Sequence, residues 1–253
     1  MKRPIILTDA DNTLWDTDSV FANAQIGLLE VVEKTTNKEC REGDRLAFVR
    51  GYDQALAAIH HAHLKYPPML LVRALALALD GTDTNTAADA VLRGKGPASI
   101  LDQTAVDDAV QHYLAMLNDI PSLLPTVMEG LRKLRAACIP VYILTEGKVE
   151  KQNIILMHHS LKSYVTGVFE VAKNQAQFAR LQQRFTPNKV IVIGDQPDRD
   201  IVPAKNAGCT AVLVPSRFRP HWHDKEQWNN ADYIALTFQE GIDWILHQAT
   251  ADA

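Results

Sequence analysis

The sequence predicts a doubly wound α/β fold interrupted by an all-helical insertion, and three observations carry that prediction. Five short apolar runs rich in Val and Ile, at residues 4–9, 139–144, 165–171, 189–194 and 209–214, show no polar alternation. Parallel strands covered on both faces read this way. Helical patterns separate the later runs, and such alternation implies a parallel sheet with right-handed crossovers. After the first run the rhythm breaks, and residues 18–120 are almost wholly helical by pattern. The core is therefore placed at residues 1–17 and 121–253, with the insertion between them.

The elements follow in order. Ile5-Ile6-Leu7 runs into Thr8-Asp9-Ala10-Asp11-Asn12-Thr13, so the first strand opens onto two carboxylates. Within the insertion, Phe21, Ala24, Leu28, Val31 and Val32 form one helical stripe. Leu46, Val49, Tyr52, Leu56 and Ile59 form another. Pro67-Pro68 suits the opening of a third helix, which Gly81 can end. Val106, Val110, Tyr113, Leu114 and Leu117 mark a later one. Pro121 and Pro125 suit the junction where the chain rejoins the sheet, since proline breaks helical continuity. Three crossover helices are then marked by Val127, Leu131, Leu134 and Ala137, by Val149, Asn153, Leu156 and Met157, and by Phe178, Leu181 and Gln182.

Composition narrows the function classes. Of the 253 residues, 47% are hydrophobic, enough for a normal core, and the formal net charge is −4. An acidic balance argues against broad nucleic-acid or anionic-membrane binding. Cys40, Cys138 and Cys209 have neither metal spacing nor the even count of a disulfide framework, which fits a reducing cytosol. The apolar run after Met1-Lys2-Arg3-Pro4 stops at Thr8, too short for a signal peptide. No stretch approaches the roughly 18 apolar residues of a membrane span. The expectation is a cytoplasmic globular protein.

Asp9 and Asp11 carry the first chemical signal. On a continuing strand they would share a face about 7 Å apart. Like charges so placed repel, and a partly buried carboxylate raises its pKa or recruits a cation. A solvated turn with helix-capping Asp and Thr is the structural alternative.

Four segments in sequence order resemble the motifs of the haloacid dehalogenase-like superfamily. Asp9-Ala10-Asp11-Asn12-Thr13 is similar to its first motif, a nucleophilic aspartate, any residue, a second aspartate, then a threonine. Ile143-Leu144-Thr145 ends an apolar run as the second motif does. Lys173 follows Val168–Ala172 where the family has its lysine. Val190–Asp200 reads as a buried strand opening onto an acidic loop, like the fourth motif. Asn12 stands where the family usually has glycine, and Asn is among the few residues that tolerate φ > 0.

The resemblance implies a Rossmann-like core with the insertion as a helical cap. It also implies Asp9 as nucleophile toward phosphorus and Asp11 as acid, then base. Thr145 and the amides near Asn12 would hold the phosphoryl oxygens, and Lys173 would neutralise charge. Mg²⁺ would be the cofactor, held by Asp9, Asp195 and the Asp11 carbonyl, with Asp200 orienting metal-bound water and Asp198 as its rival. The dehalogenases of the superfamily lack the second aspartate, because a halide leaving group needs no proton. Asp11 therefore favours phosphate esters.

The expectation is a Mg²⁺-dependent phosphatase acting on a small phosphomonoester. A phosphomutase, a dehalogenase-type hydrolase and a non-catalytic regulatory protein are the alternatives. Neither nucleic acid nor membrane is expected as a partner. Arg50, Tyr52 and Arg73 are generic candidates for substrate contact. Three weaker signals read as surface features before anything else: His60, His61 and His63; His158-His159; and the loop Arg217–His223.

Overall fold

The computed structural model describes residues 3–59, 66–95, 100–219 and 225–251. His60, His61, His63 and residues 220–223 of the basic-aromatic loop lie outside the described residues. The chain forms two compact units, Met1–Asp18 with Pro121–Ala253, and Ser19–Ile120.

The first strand, β1 (Ile5–Thr8), is followed by α1 (Thr17–Thr36), and the division between units falls in the first turn of that helix. The helical unit continues with α2 (Arg45–Ile59), α3 (Pro68–Leu79), α4 (Thr84–Leu92) and α5 (Gln103–Met116). Its core gathers Leu28 and Val32 of α1, Val49 and Leu56 of α2, Leu71 and Leu75 of α3, Val91 of α4 and Val106 of α5. Pro68 occupies the first turn of α3 as its missing N–H allows, and Gly81 follows the helix with a positive φ. The sequence pattern does not show α4, because Thr84–Leu92 buries only Ala87, Ala88 and Val91. What starts that helix is a cap, the Asp83 carboxylate accepting from the Thr86 N–H. Phe21, Ile59 and Leu114, at the rims of the expected stripes, are exposed.

The other unit completes the sheet. After α6 (Val127–Ala136) come β2 (Val141–Thr145), α7 (Val149–His158), β3 (Gly167–Glu170), α8 (Gln175–Arg184) and β4 (Val190–Gly194). A π turn (Pro197–Ile201), α9 (Val202–Asn206), β5 (Thr210–Leu213), β6 (Tyr233–Ile234) and α10 (Phe238–Ala251) follow. The six strands are ordered β3-β2-β1-β4-β5-β6, every neighbouring pair parallel. The five apolar runs are five of these strands. The sixth is a two-residue edge strand too short to leave a hydrophobic signature. β3 forms the other edge and is only half covered, so its run is less buried than a two-sided strand would be.

Alternate residues of single strands enter different cores. Ile6, Ile143, Ile191 and Ile193 pack with Leu131, Leu156 and Ile242, from α6, α7 and α10. Leu7, Leu144, Val190 and Val192 pack with Phe178 of α8 and Ala204 of α9. Helices on both faces explain why the strands lack polar alternation. Gly130 has a packing reason, since a Cβ there would lie 2.7 Å from the Phe238 ring that seats α10 on α6. One expected stripe is rotated. On α7 the buried face is Gln152, Ile155 and Leu156, whereas Met157 is 67% exposed.

Candidate active site

Register brings the chemistry to one end of the sheet. Thr8 stands beside both Ile143 and Ile193, so β1, β2 and β4 run out together at their carboxyl ends. Ligands bind outside such ends in open α/β sheets. Asp9 follows β1, and its N–H donates to Ile193 O at 2.7 Å. Asp195 follows β4, Thr145 closes β2, and Lys173 lies in the loop after β3.

Asp9, Asp195, Asp200 and Lys173 are all buried. The Lys173 ammonium donates to Asp9 Oδ1 and lies 2.7 Å from Asp200 Oδ1. Asp9 Oδ2 accepts from Thr13 Oγ1 at 3.1 Å, and Asp200 Oδ2 accepts from the Gln196 N–H at 3.1 Å. The π turn delivers Asp200, and Gly194 makes room for it. A Cβ at Gly194 would sit 2.2 Å from the Asp200 Cγ. Gly194→Ala must therefore displace Asp200 and loosen its grip on Lys173. We expect about a 10²-fold fall in kcat/KM, the scale of a 1 Å misplacement, in a protein that still folds by circular dichroism. Unchanged activity would mean that Asp200 tolerates relocation.

Charge is unbalanced. Burial pushes the Asp9 carboxyl up to about 7, against the attraction of Lys173, while Asp200 and Asp11 add repulsion. Burial also raises Asp195 well above the carboxylate range, with the Asp9 and Asp200 charges adding to it. Burial works against the Lys173 ammonium, yet Asp200 and Asp9 together hold it above the ordinary lysine range. Lys173 is thus the fixed charge of the cluster, with carboxylates on two sides. Three carboxylates share one ammonium. One oxygen from each of Asp9, Asp195 and Asp200 can be chosen so that all lie within 4.8 Å of one another. Asp195 Oδ1 is buried with no hydrogen-bond partner. A compact, oxygen-only, electron-rich cluster with an orphaned carboxylate oxygen fits a hard divalent cation such as Mg²⁺.

The structure places Asp11 differently from the strand expectation. β1 ends at Thr8, so side-chain alternation does not reach it. Instead the loop turns at Asn12, whose φ is 59°, and pairs back on Trp15 through Asn12 N–H to Trp15 O at 2.8 Å. Asp11 Oδ1 accepts from Thr17 Oγ1 at 2.7 Å and from the Trp15 indole at 3.2 Å. The Asn12 side chain accepts from the Asp18 N–H at 2.8 Å, which caps the start of α1. Asp11's side chain is not in the three-carboxylate group. Asp198 is half-buried on the π turn.

Thr145 is 1% exposed, its Oγ1 accepting from the Gly147 N–H at 2.9 Å and from Gln152 Nε2 at 3.2 Å. Glu146 accepts the Lys173 backbone N–H at 3.0 Å and grips the Arg199 guanidinium through both oxygens. It thereby ties the loops after β2, β3 and β4 together. No role falls to Thr13, Glu146, Gln152 or Arg199 on sequence grounds alone. Of these, Thr13 alone carries a signal in the sequence, as the threonine of the first motif. Ser216, just before the Arg217–His223 loop, donates to Phe218 O at 2.6 Å. Arg219 of the same loop stacks 4.4 Å over Trp228. His159 is engaged with Pro121 O at 2.8 Å. In the helical unit, the Tyr52 hydroxyl donates to Thr82 O and Arg73 donates to Gln103, both at 2.8 Å. Tyr52 is a core residue of that unit, and the Arg50 guanidinium reaches Gln25 Oε1 at 3.4 Å.

Comparison with known proteins places the fold and the family. Three solved structures share the fold. A predicted phosphoglycolate phosphatase from Haemophilus somnus has a TM-score of 0.62 at 16% identity, over 97% of this chain and 99% of that one. A candidate β-phosphoglucomutase from Thermotoga maritima has a TM-score of 0.61 at 16% identity, over 96% and 99%. A 2-haloacid dehalogenase from Pseudomonas syringae has a TM-score of 0.51 at 18% identity, over 98% and 99%. No curated protein sequence matches the chain. The profile of the haloacid dehalogenase-like hydrolases matches residues 4–208, and the chain belongs to that family.

Proposed function

We propose that the chain is a Mg²⁺-dependent phosphatase for a small phosphomonoester, working through an aspartyl-phosphate on Asp9. The observation that carries this reading is the buried cluster of Asp9, Asp195 and Asp200, in which Asp9 and Asp200 pair with the single ammonium of Lys173. Such a site, with Asp195 Oδ1 unpartnered, calls for a divalent cation, and a phosphate ester brings charge that needs one. Asp9 and Asp195 would hold Mg²⁺ through side chains and Asp11 through its carbonyl, with Asp200 supporting the set. Bound there, Mg²⁺ offsets the charge that a phosphoryl group brings toward the carboxylates.

The chain's own groups do the rest. A carboxylate oxygen of Asp9 attacks phosphorus as the ester P–O bond breaks, and Asp11 gives its proton to the departing oxygen. Asp11 then takes a proton from the water that attacks phosphorus, releasing inorganic phosphate and restoring Asp9. Lys173 stays protonated beside Asp9, and Thr13 orients the carboxylate that reacts. Thr145 binds a phosphoryl oxygen. The helical unit is assigned the part of a cap that selects the substrate, and the cytoplasm is the assigned location. Among the described residues no helix is long and apolar enough to cross a membrane.

A phosphate-release screen over metabolite esters with Mg²⁺ tests the proposal. Release from a sugar phosphate, a phosphoglycolate-like acid or a nucleoside monophosphate supports it. Halide release from 2-haloacids without phosphatase activity overturns it, as does transfer within one sugar without net phosphate. Chelation by EDTA should abolish turnover and Mg²⁺ restore it. Ca²⁺ should support much less, because its larger and looser shell misplaces Asp9. Asp195→Ala should raise the Mg²⁺ concentration for half-activation by more than about tenfold, with little change in KM for the ester. Full activity in chelator would remove the metal from the scheme.

A further inference from the structure

Gln152 is a polar side chain on the buried face of α7, 2% exposed, in a position where helical packing calls for an apolar residue. Its Nε2 lies 3.2 Å from Thr145 Oγ1, while its Oε1 is buried with no hydrogen-bond partner. A buried acceptor left unpaired is costly, and an apolar side chain of the same length would avoid that cost. The Gly147 N–H donates to the same hydroxyl at 2.9 Å. A threonine hydroxyl has two acceptor lone pairs and one proton. Two donors on Thr145 Oγ1 therefore fill both lone pairs and leave the proton to point elsewhere.

We propose that Gln152 is a positioning residue for the reaction. With the Gly147 N–H it saturates the acceptor sites of Thr145, so that the Thr145 proton is presented to an anionic oxygen of the substrate. The hydroxyl then acts as a pre-oriented donor, with no rotor to reorganise when the substrate arrives. Gly147 takes part by being small, since a Cβ there would lie 3.2 Å from Thr145 Oγ1 and 3.7 Å from Gln152 Nε2. The inference rests on the phosphoryl-binding part assigned to Thr145 above.

A double-mutant cycle tests it, with kcat/KM for p-nitrophenyl phosphate measured with Mg²⁺ on wild type, Gln152→Met, Thr145→Val and the double variant. Met keeps the side-chain length and removes the amide. Gln152→Met alone should lose about tenfold in kcat/KM, the scale of one hydrogen bond. Added to Thr145→Val it should lose almost nothing, because the hydroxyl that it orients is gone. An equal loss in both backgrounds would mean that Gln152 merely supports the fold, and would overturn the proposal. A Gln152→Met protein as active as wild type, or more active, would also overturn it, since the amide would then accept the Thr145 proton rather than free it. If Gln152→Met does not fold, Gln152→Asn takes its place, one methylene too short to reach Thr145 and with the same expected pattern. Turnover of 2-chloropropionate in place of any phosphate ester would refute the phosphatase reading alone. The same cycle on that acid would still decide the part played by Gln152.

Discussion

Asp9→Asn is expected to abolish phosphate release, with kcat/KM down by at least about 10⁴-fold. An amide oxygen is a poor nucleophile, and the substitution also removes a charge that faces Lys173 and the proposed cation site. The fold should survive. Lys173 keeps Asp200 at 2.7 Å, the Asn carbonyl can accept from Lys173, and the Asn NH2 can donate to the Thr13 hydroxyl oxygen. In chelator the variant should melt no lower than wild type, because a neutral amide is cheaper to bury than a carboxylate whose raised pKa comes first from burial. Loss of activity with retained stability assigns Asp9 to chemistry. Retention of more than a few per cent of the wild-type rate would show that another group attacks phosphorus.

Asp11→Asn should separate substrates by leaving group. Alkyl phosphates need their departing oxygen protonated and should slow by about 10²–10⁴-fold, whereas p-nitrophenyl phosphate should slow far less. The substitution is structurally clean. The oxygen that accepts from Thr17 and Trp15 has a counterpart in the Asn carbonyl, so the loop between β1 and α1 can keep its bonds. Parallel rate profiles against leaving-group pKa show whether the wild type is flat and the variant steep. Equal losses on both ester types would make Asp11 a structural or metal-binding residue.

Much of this architecture is written in the chain because burial on both faces leaves a plain signature. Ile5–Thr8, Val141–Thr145 and Val190–Gly194 are apolar at almost every position, and they are three of the four interior strands. The acidic loop after β4 is legible for the same reason, since Asp195 interrupts an otherwise uniform apolar run. What escapes the sequence depends on partners distant in the chain. Glu146 and Arg199 look like ordinary solvated charges until the fold brings them together across two loops. β6 is held by backbone pairing with β5 and by Tyr233, which stacks on Trp244 of α10 and donates to Glu240. The α7 stripe goes astray for a chemical reason. Gln152 reads as outward-facing because it is polar, yet it faces inward to meet Thr145, so the pattern favours Met157 for a face that it does not join. Strand alternation likewise misplaces Asp11, because β1 stops three residues earlier, at Thr8.

The central claim is that Asp9 carries the phosphoryl group during turnover. Rapid quenching of the Mg²⁺-loaded wild type with the best ester from the release screen, followed by borohydride reduction, captures an acyl phosphate as the corresponding alcohol. Peptide mass spectrometry should find that reduction at Asp9 and at no other carboxylate, and only in samples quenched during turnover. Sustained phosphate release with Asp9 unreduced, or reduction at Asp11 or Asp195 instead, would contradict it.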